Sequence, residues 1–252
     1  MKTEALPIRL PVVNSPESPE DNSDSSYRGL KMHAAPNLHR DCISLLKQIG
    51  LSPGARVLDV GAGEGAFSQR LIDEGFAVSA VDFRPGEFRA DTECKRLDLN
   101  MDFHDQWTNK FDSVVAIEVI EHLFNPRHFI NNCLRVLKDG GYLLLTSPNT
   151  ENWLSRIRFL RDGNFMWFGE SDYQHYGHIT PVFSWQIEQI CKELSAELVK
   201  IDHTENGPMR RWLGNGLRKM LRNKSLYLGA LYPFMRGRRD GEINIYLIRR
   251  QT

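Results

Sequence analysis

Val57-Leu58-Asp59-Val60-Gly61-Ala62-Gly63-Glu64-Gly65 runs from an apolar strand into a loop with glycine at every second position. Such a loop after a buried strand lets the backbone turn sharply and approach a ligand with no Cβ in the way. Taken alone it fits two cofactor classes, because Gly61-x-Gly63-x-x-Ala66 also satisfies the relaxed dinucleotide fingerprint. Asp82 closes the next apolar run, where either cofactor needs a carboxylate for its ribose hydroxyls. Glu64 inside the loop and Asp59 just before it separate the two classes. Anionic side chains there oppose a pyrophosphate, which wants bare amides at a helix N-terminus. They suit a cofactor with a positive sulfonium, an ammonium group and no phosphate.

Outward from this motif, strand and helix patterns alternate, as in a parallel sheet with crossovers. A helix is expected from near Asn37 through Ile43, Leu46 and Ile49 to Gly50, then a Pro53-Gly54 turn and the strand Arg56–Val60. The helix after the loop carries Phe67, Leu71 and Ile72 on one side and stops at Gly75. Strand Phe76–Val81 follows, then a short strand near Arg96–Leu99 that holds Asp98. Phe111–Ile117 is nearly all apolar, as a strand covered on both faces should be. A helix over Arg127–Leu137 ends at Asp139-Gly140-Gly141, before strand Tyr142–Thr146. Ser184 reads as the N-cap of a helix bearing Ile187, Ile190, Cys191 and Leu194. Strands Glu197–Ile201 and Ile243–Ile248 close the chain.

At 252 residues the chain has room for one large α/β domain and not for a second core of ordinary size. Residues 1–27 carry Pro11, Pro16 and Pro19 among polar residues and read as a flexible tail. Residues 28–252 read as the domain itself. The four cysteines, Cys42, Cys94, Cys133 and Cys191, lie far apart without zinc-ribbon spacing, which suits buried thiols in a reducing compartment. There is no apolar secretory segment at the N-terminus, and Leu226–Met235 is about half of the ~20 residues a membrane helix needs. The expected location is therefore cytoplasmic.

Lys+Arg and Asp+Glu balance at 32 each, but unevenly. Arg210, Arg211, Arg218, Lys219, Arg222, Lys224, Arg236, Arg238 and Arg239 stand between Asn206 and Arg239 with no acidic residue among them. Trp212, Leu213, Leu217, Met220 and Leu221 recur there at helical spacing. The stretch from about 207 to 240 thus reads as a basic amphipathic insertion, suited to peripheral contact with an anionic membrane on its inner face. A lid helix packed on the domain is the plainer alternative.

The motif Val57–Gly65 resembles motif I of class I S-adenosylmethionine-dependent methyltransferases, of the ubiquinone-pathway-like branch. Asp82 matches the acidic residue after their second strand, and Asp98-Leu99 the pair that meets the adenine. Glu118-Val119-Ile120-Glu121-His122-Leu123 and Leu137-Lys138-Asp139-Gly140-Gly141-Tyr142-Leu143 follow in the family's order. The resemblance spans about 36–202 and 242–250. It implies an α/β, Rossmann-like, seven-stranded and mostly parallel sheet, helices on both faces and the last strand antiparallel. It also implies S-adenosylmethionine as cofactor, with Asp59, Gly61, Ala62 and Gly63 at its methionine part. Asp82 would bind the ribose diol, Phe83 would pack on the adenine, Asp98 and Leu99 would meet its edge, and Glu118 would line the pocket.

Methyl transfer from a sulfonium is an in-line displacement, so alignment and desolvation supply much of the acceleration. A base is needed when the acceptor is a protonated hydroxyl, and histidine is the natural one. His122 and His178, with Glu121, are the catalytic candidates. The alternative, less favoured, is a divalent metal on Glu118, Glu121, His122 and His178, a spacing shared with some relatives; capping or core histidines are the bland alternative. The acceptor is expected to be a small-molecule, glycan, lipid-linked or quinone-type hydroxyl. An RNA 2′-O-methyltransferase-like enzyme and an inactive cofactor-binding module remain as other classes. No nucleic-acid-binding module is recognisable, and basic residues alone are weak evidence for one.

Overall fold

The computed structural model describes residues 25–108, 110–204, 237 and 240–251. The expected tail lies outside the described residues except at its end, where Ser26–Tyr27 (β1) pairs antiparallel with Leu30–Lys31 (β2). That short hairpin corrects the expected boundary at 27. The basic insertion also lies outside them, apart from Gly237 and Asp240.

The central sheet has seven strands: Arg56–Val60 (β3), Ala77–Asp82 (β4), Cys94–Arg96 (β5), Phe111–Ala116 (β6), Leu137–Pro148 (β7), Ala196–His203 (β8) and Ile243–Arg250 (β9). Their order is β5-β4-β3-β6-β7-β9-β8, all parallel except β9, which runs antiparallel to both neighbours. This is the expected sheet, with the last strand inserted between β7 and β8. The order reverses between β3 and β6, so a crevice opens at the carboxyl ends of those two strands, where such sheets take ligands.

Alternation along the strands divides the core into two layers. Val57, Val115, Leu144, Ile245 and Leu247 pack on Leu38–Gln48 (α1) and Ala66–Asp73 (α2). Leu58, Val60, Val114, Leu143, Leu145 and Tyr246 face the other way, against Pro126–Val136 (α3) and Ser184–Glu193, the last helix. Both faces are therefore covered, which explains the unbroken apolar run of β6. Cys42, Cys133 and Cys191 are buried free thiols in these layers, as expected, whereas Cys94 on the edge strand β5 is only partly buried.

Two more helices, Trp153–Asp162 (α4) and Glu170–Tyr176 (α5), lie between β7 and the last helix, which becomes α6. Ser184 is the first residue of α6 and not its cap. Phe183 holds that place: its N–H donates to Gln186 Oε1 at 2.8 Å, while the Ser184 N–H donates to Glu151 Oε2. The short strand β5 also ends before Asp98, which leaves that carboxylate in the following loop.

Candidate active site

The backbone of the glycine loop is fixed by a close approach. Gly61 has φ +75°, and a Cβ there would come within 2.5 Å of the Val119 side chain. Only glycine lets the loop after β3 sit against the loop after β6. Gly63 donates its N–H to Asp82 Oδ2 at 2.9 Å, and Arg84 donates to Asp82 Oδ1 at 2.7 Å. Asp82 at the end of β4 therefore shapes the loop as well as facing the crevice.

A cleft of about 950 Å³ occupies this crevice. It gathers Gly61, Gly63, Asp82, Phe83, Asp98, Leu99, Glu118, His122 and His178 from five separate segments. Phe83 presents an exposed ring with the Arg96 guanidinium 5.4 Å from its centre. Asp98 Oδ1 accepts from the Asn100 N–H at 2.9 Å, which holds the carboxylate at the rim. Asp59 and Ala62 line a smaller recess beside the loop instead of the main cleft. Asp59 is buried and accepts from Ser68 Oγ at 2.6 Å; burial chiefly, and Asp82 nearby, raise its pKa to about 7. Glu64 does not line the main cleft. Its carboxylate is tied to Arg89 and to the Lys31 N–H, so it joins the glycine loop to the β1–β2 hairpin.

Glu118 follows β6 with φ +54°, a left-handed backbone that is uncommon outside glycine and found often at functional sites. Thr146 on β7 holds it: its hydroxyl donates to Glu118 Oε1 and accepts from the Glu118 N–H, both at 2.9 Å. Burial, then the nearby Glu242 carboxylate, raise the Glu118 pKa to about 7.

His122 and His178 line the cleft and Glu121 does not, yet the three offer ligand atoms all within 4.8 Å of one another. Backbone bonds make this convergence: the Ile179 and Thr180 N–H groups both donate to the Glu121 carbonyl at 3.0 Å. The two imidazoles meet edge to face, 4.9 Å between centres. His122 Nδ1 donates to the Gly177 carbonyl at 3.2 Å, and His178 Nδ1 to the Trp167 carbonyl at 2.8 Å. A carbonyl only accepts, so in each neutral ring the proton sits on Nδ1 and Nε2 keeps its lone pair. Burial, then the proximity of His178, push the His122 pKa below the usual histidine value. Glu121 is fully buried with neither carboxylate oxygen hydrogen-bonded; burial, then Glu118, push its pKa well up. Glu118 stands apart from this cluster on Thr146, so the four-ligand set is reduced to three.

Other wall residues were not legible in the sequence. His33–Pro36 reach the cleft from the segment before α1, Trp167 and Tyr176 from the segment around α5, and Glu242 and Ile243 from the start of β9. None belongs to a local motif; each arrives through tertiary placement.

Residues 34–201 match the family described as "Methyltransferase domain". A ubiquinone biosynthesis O-methyltransferase of Xanthomonas oryzae pv. oryzae (strain PXO99A) is 32% identical over 127 residues, 47% of this chain and 52% of that protein. Its counterpart from Idiomarina loihiensis is 27% identical over 142 residues, 51% of this chain and 57% of the relative. The chain thus spans about half the length of these curated relatives. In fold it is similar to a SAM dependent methyltransferase from Archaeoglobus fulgidus, with TM-score 0.55, 20% identity, and 84% and 94% of the two chains covered. The magnesium protoporphyrin IX methyltransferase of Synechocystis PCC 6803, solved with bound SAH, gives TM-score 0.54 at 16% identity, with 84% and 83% covered. The chain belongs to the methyltransferase-domain family and has the class I S-adenosylmethionine-dependent methyltransferase fold.

Proposed function

We propose that this chain transfers a methyl group from S-adenosylmethionine to a hydroxyl oxygen of a small, quinone-type or lipid-linked acceptor. One observation carries this: a single cleft joins the carboxylates Asp82, Asp98 and Glu118 to the imidazoles of His122 and His178. The carboxylates take the ribose, the adenine edge and the cationic end of the donor. His122, neutral and with Nε2 unprotonated, accepts the acceptor's hydroxyl proton as the methyl group leaves the sulfonium. The relatives named for ubiquinone biosynthesis support an oxygen acceptor of the quinone type.

A second reading places a divalent ion on Glu121, His122 and His178. It is favoured by the buried Glu121 carboxylate that has no hydrogen-bond partner. It is favoured also by Nδ1–carbonyl bonds of the kind that orient metal-ligating imidazoles. A bound ion there would act as a Lewis acid toward acceptor oxygens.

His122→Ala is expected to lower turnover by roughly 10²–10⁴-fold with donor affinity nearly unchanged. Loss of activity on chelation, restored by added divalent ion, would select the second reading over the first. Full activity after both treatments would contradict the two together and leave positioning alone.

A further inference from the structure

Trp167 occupies a backbone position that suits glycine. The Phe168 N–H donates to the Phe165 carbonyl at 3.2 Å, which closes a turn with Trp167 in its third position at φ +68°. Turns with that backbone take glycine or asparagine there, and a bulky side chain is an outlier that its surroundings must hold. The hold comes from α4 and its neighbourhood. The Met166 N–H donates to the buried Ser155 Oγ at 3.0 Å, and Phe165 stacks on Phe159 with ring centres 4.6 Å apart. Core filling does not explain the indole. It is half-buried and lines the cleft, and its Nε1 has no hydrogen-bond partner, whereas a tryptophan built into an interior usually finds one. Backbone strain kept at a cleft wall points to function.

The same residue fixes an imidazole, because its carbonyl accepts from His178 Nδ1 at 2.8 Å. Around His178 the Tyr176 ring lies 5.7 Å away and the His122 ring 4.9 Å away, centre to centre. Trp167, Tyr176, His122 and His178 all line the cleft, so four flat side chains gather at one part of its wall. Among the described residues, Arg84 is the only lysine or arginine on that wall, and it follows Asp82 and Phe83, where the donor is read to lie. Glu118 and Glu242 are the carboxylates left over once Asp82 and Asp98 take the ribose and the adenine. A wall of this make-up favours the face of a flat ring and offers an anionic group no counter-charge.

We propose that Trp167 is the specificity-determining residue for the methyl acceptor: its indole is the wall on which a flat, uncharged ring lies, and its carbonyl sets the His178 imidazole beside that ring. This rests on the methyl-transfer reading above and narrows its acceptor to a ring without negative charge.

Calorimetry on the full chain saturated with S-adenosylhomocysteine tests it with three probes of similar size. They are 2-naphthol, 2-naphthoate, which carries a negative charge, and decahydro-2-naphthol, whose rings are saturated and puckered. The wild-type protein should bind 2-naphthol about tenfold or more tightly than either of the others. Trp167→Gly suits the backbone and removes the wall, so it should cancel the preference for the flat ring while S-adenosylhomocysteine stays within about twofold. Retained binding of S-adenosylhomocysteine also reports that the variant is folded. Trp167→Leu, which keeps apolar bulk without a flat face, should behave as the glycine variant does, and Trp167→Phe should recover most of the preference. Equal binding of the three probes by the wild-type protein, or no binding of 2-naphthol, would overturn the proposal. So would a preference for 2-naphthol that survives in the folded glycine or leucine variant. A wild-type protein that does not bind S-adenosylhomocysteine would overturn the donor reading itself.

Discussion

Asp59 holds a proton that an exposed aspartate would have lost, because burial raises its pKa to about 7. Between pH ~4, where an unfolded aspartate ionises, and pH 7, the folded chain binds more protons than the unfolded one. This group therefore makes stability fall as pH rises across that window, with no further change above it. A cationic donor favours the ionised form, so its affinity should rise over the same interval. Asp59→Asn removes both effects at this position while keeping an acceptor for Ser68. Unfolding followed by circular dichroism from pH 4 to 8 should show a shallower decline than the parent protein, and an unchanged slope would contradict the role. The sequence showed Asp59 next to the glycines but not its depth, which the β3 register and the Ser68 hydroxyl on α2 impose. Glu242 was invisible for the same reason, since nothing near it in sequence tells that it shares a wall with the loop.

The long elements of the sheet were legible because burial on two faces and short turns leave strong local patterns: β3, β4, β6, α1 and α3 fall within a residue or two of their expected bounds. The β1–β2 hairpin, α4 and α5 were not. The hairpin is only two residues per strand and is held by distant partners: Tyr27 stacks under Arg70 at 3.9 Å and donates to Asp73 at 2.6 Å. Its link to the site is Glu64, which accepts from the Lys31 N–H and pairs with Arg89. The segment from His33 to Pro36 then leaves the hairpin to wall the cleft. Glu64→Gln weakens the pairing, and is expected to speed hydrogen exchange at Lys31 and in the following few amides, with α2 unaffected. Donor dissociation should quicken as well. Uniform loss of protection through α2 and β3 would instead mean that Glu64 serves only global stability.

The whole chain is formally neutral, yet its charge is divided between a basic stretch at about 207–240 and an acidic remainder. No described helix is long and apolar enough to cross a membrane. Peripheral contact through the basic stretch is expected to gain on the order of 1 kcal/mol per basic residue at an anionic surface, screened by salt. Co-sedimentation should show salt-sensitive binding to anionic vesicles, lost when Arg210, Arg211, Arg218, Lys219 and Arg222 become Gln. Equal binding to neutral vesicles would remove the electrostatic explanation. Among the described residues one cleft brings together the carboxylates of Asp82, Asp98 and Glu118 and the imidazoles of His122 and His178. The most direct measurement supplies S-adenosylmethionine labelled with ¹³C at the methyl group, together with fractionated quinone, lipid and glycan extracts, and follows the label by NMR. A hydroxyl acceptor requires release of S-adenosylhomocysteine and a label whose carbon shift is that of a methyl group on oxygen. A label on nitrogen or carbon, or no donor turnover with any fraction, would contradict it.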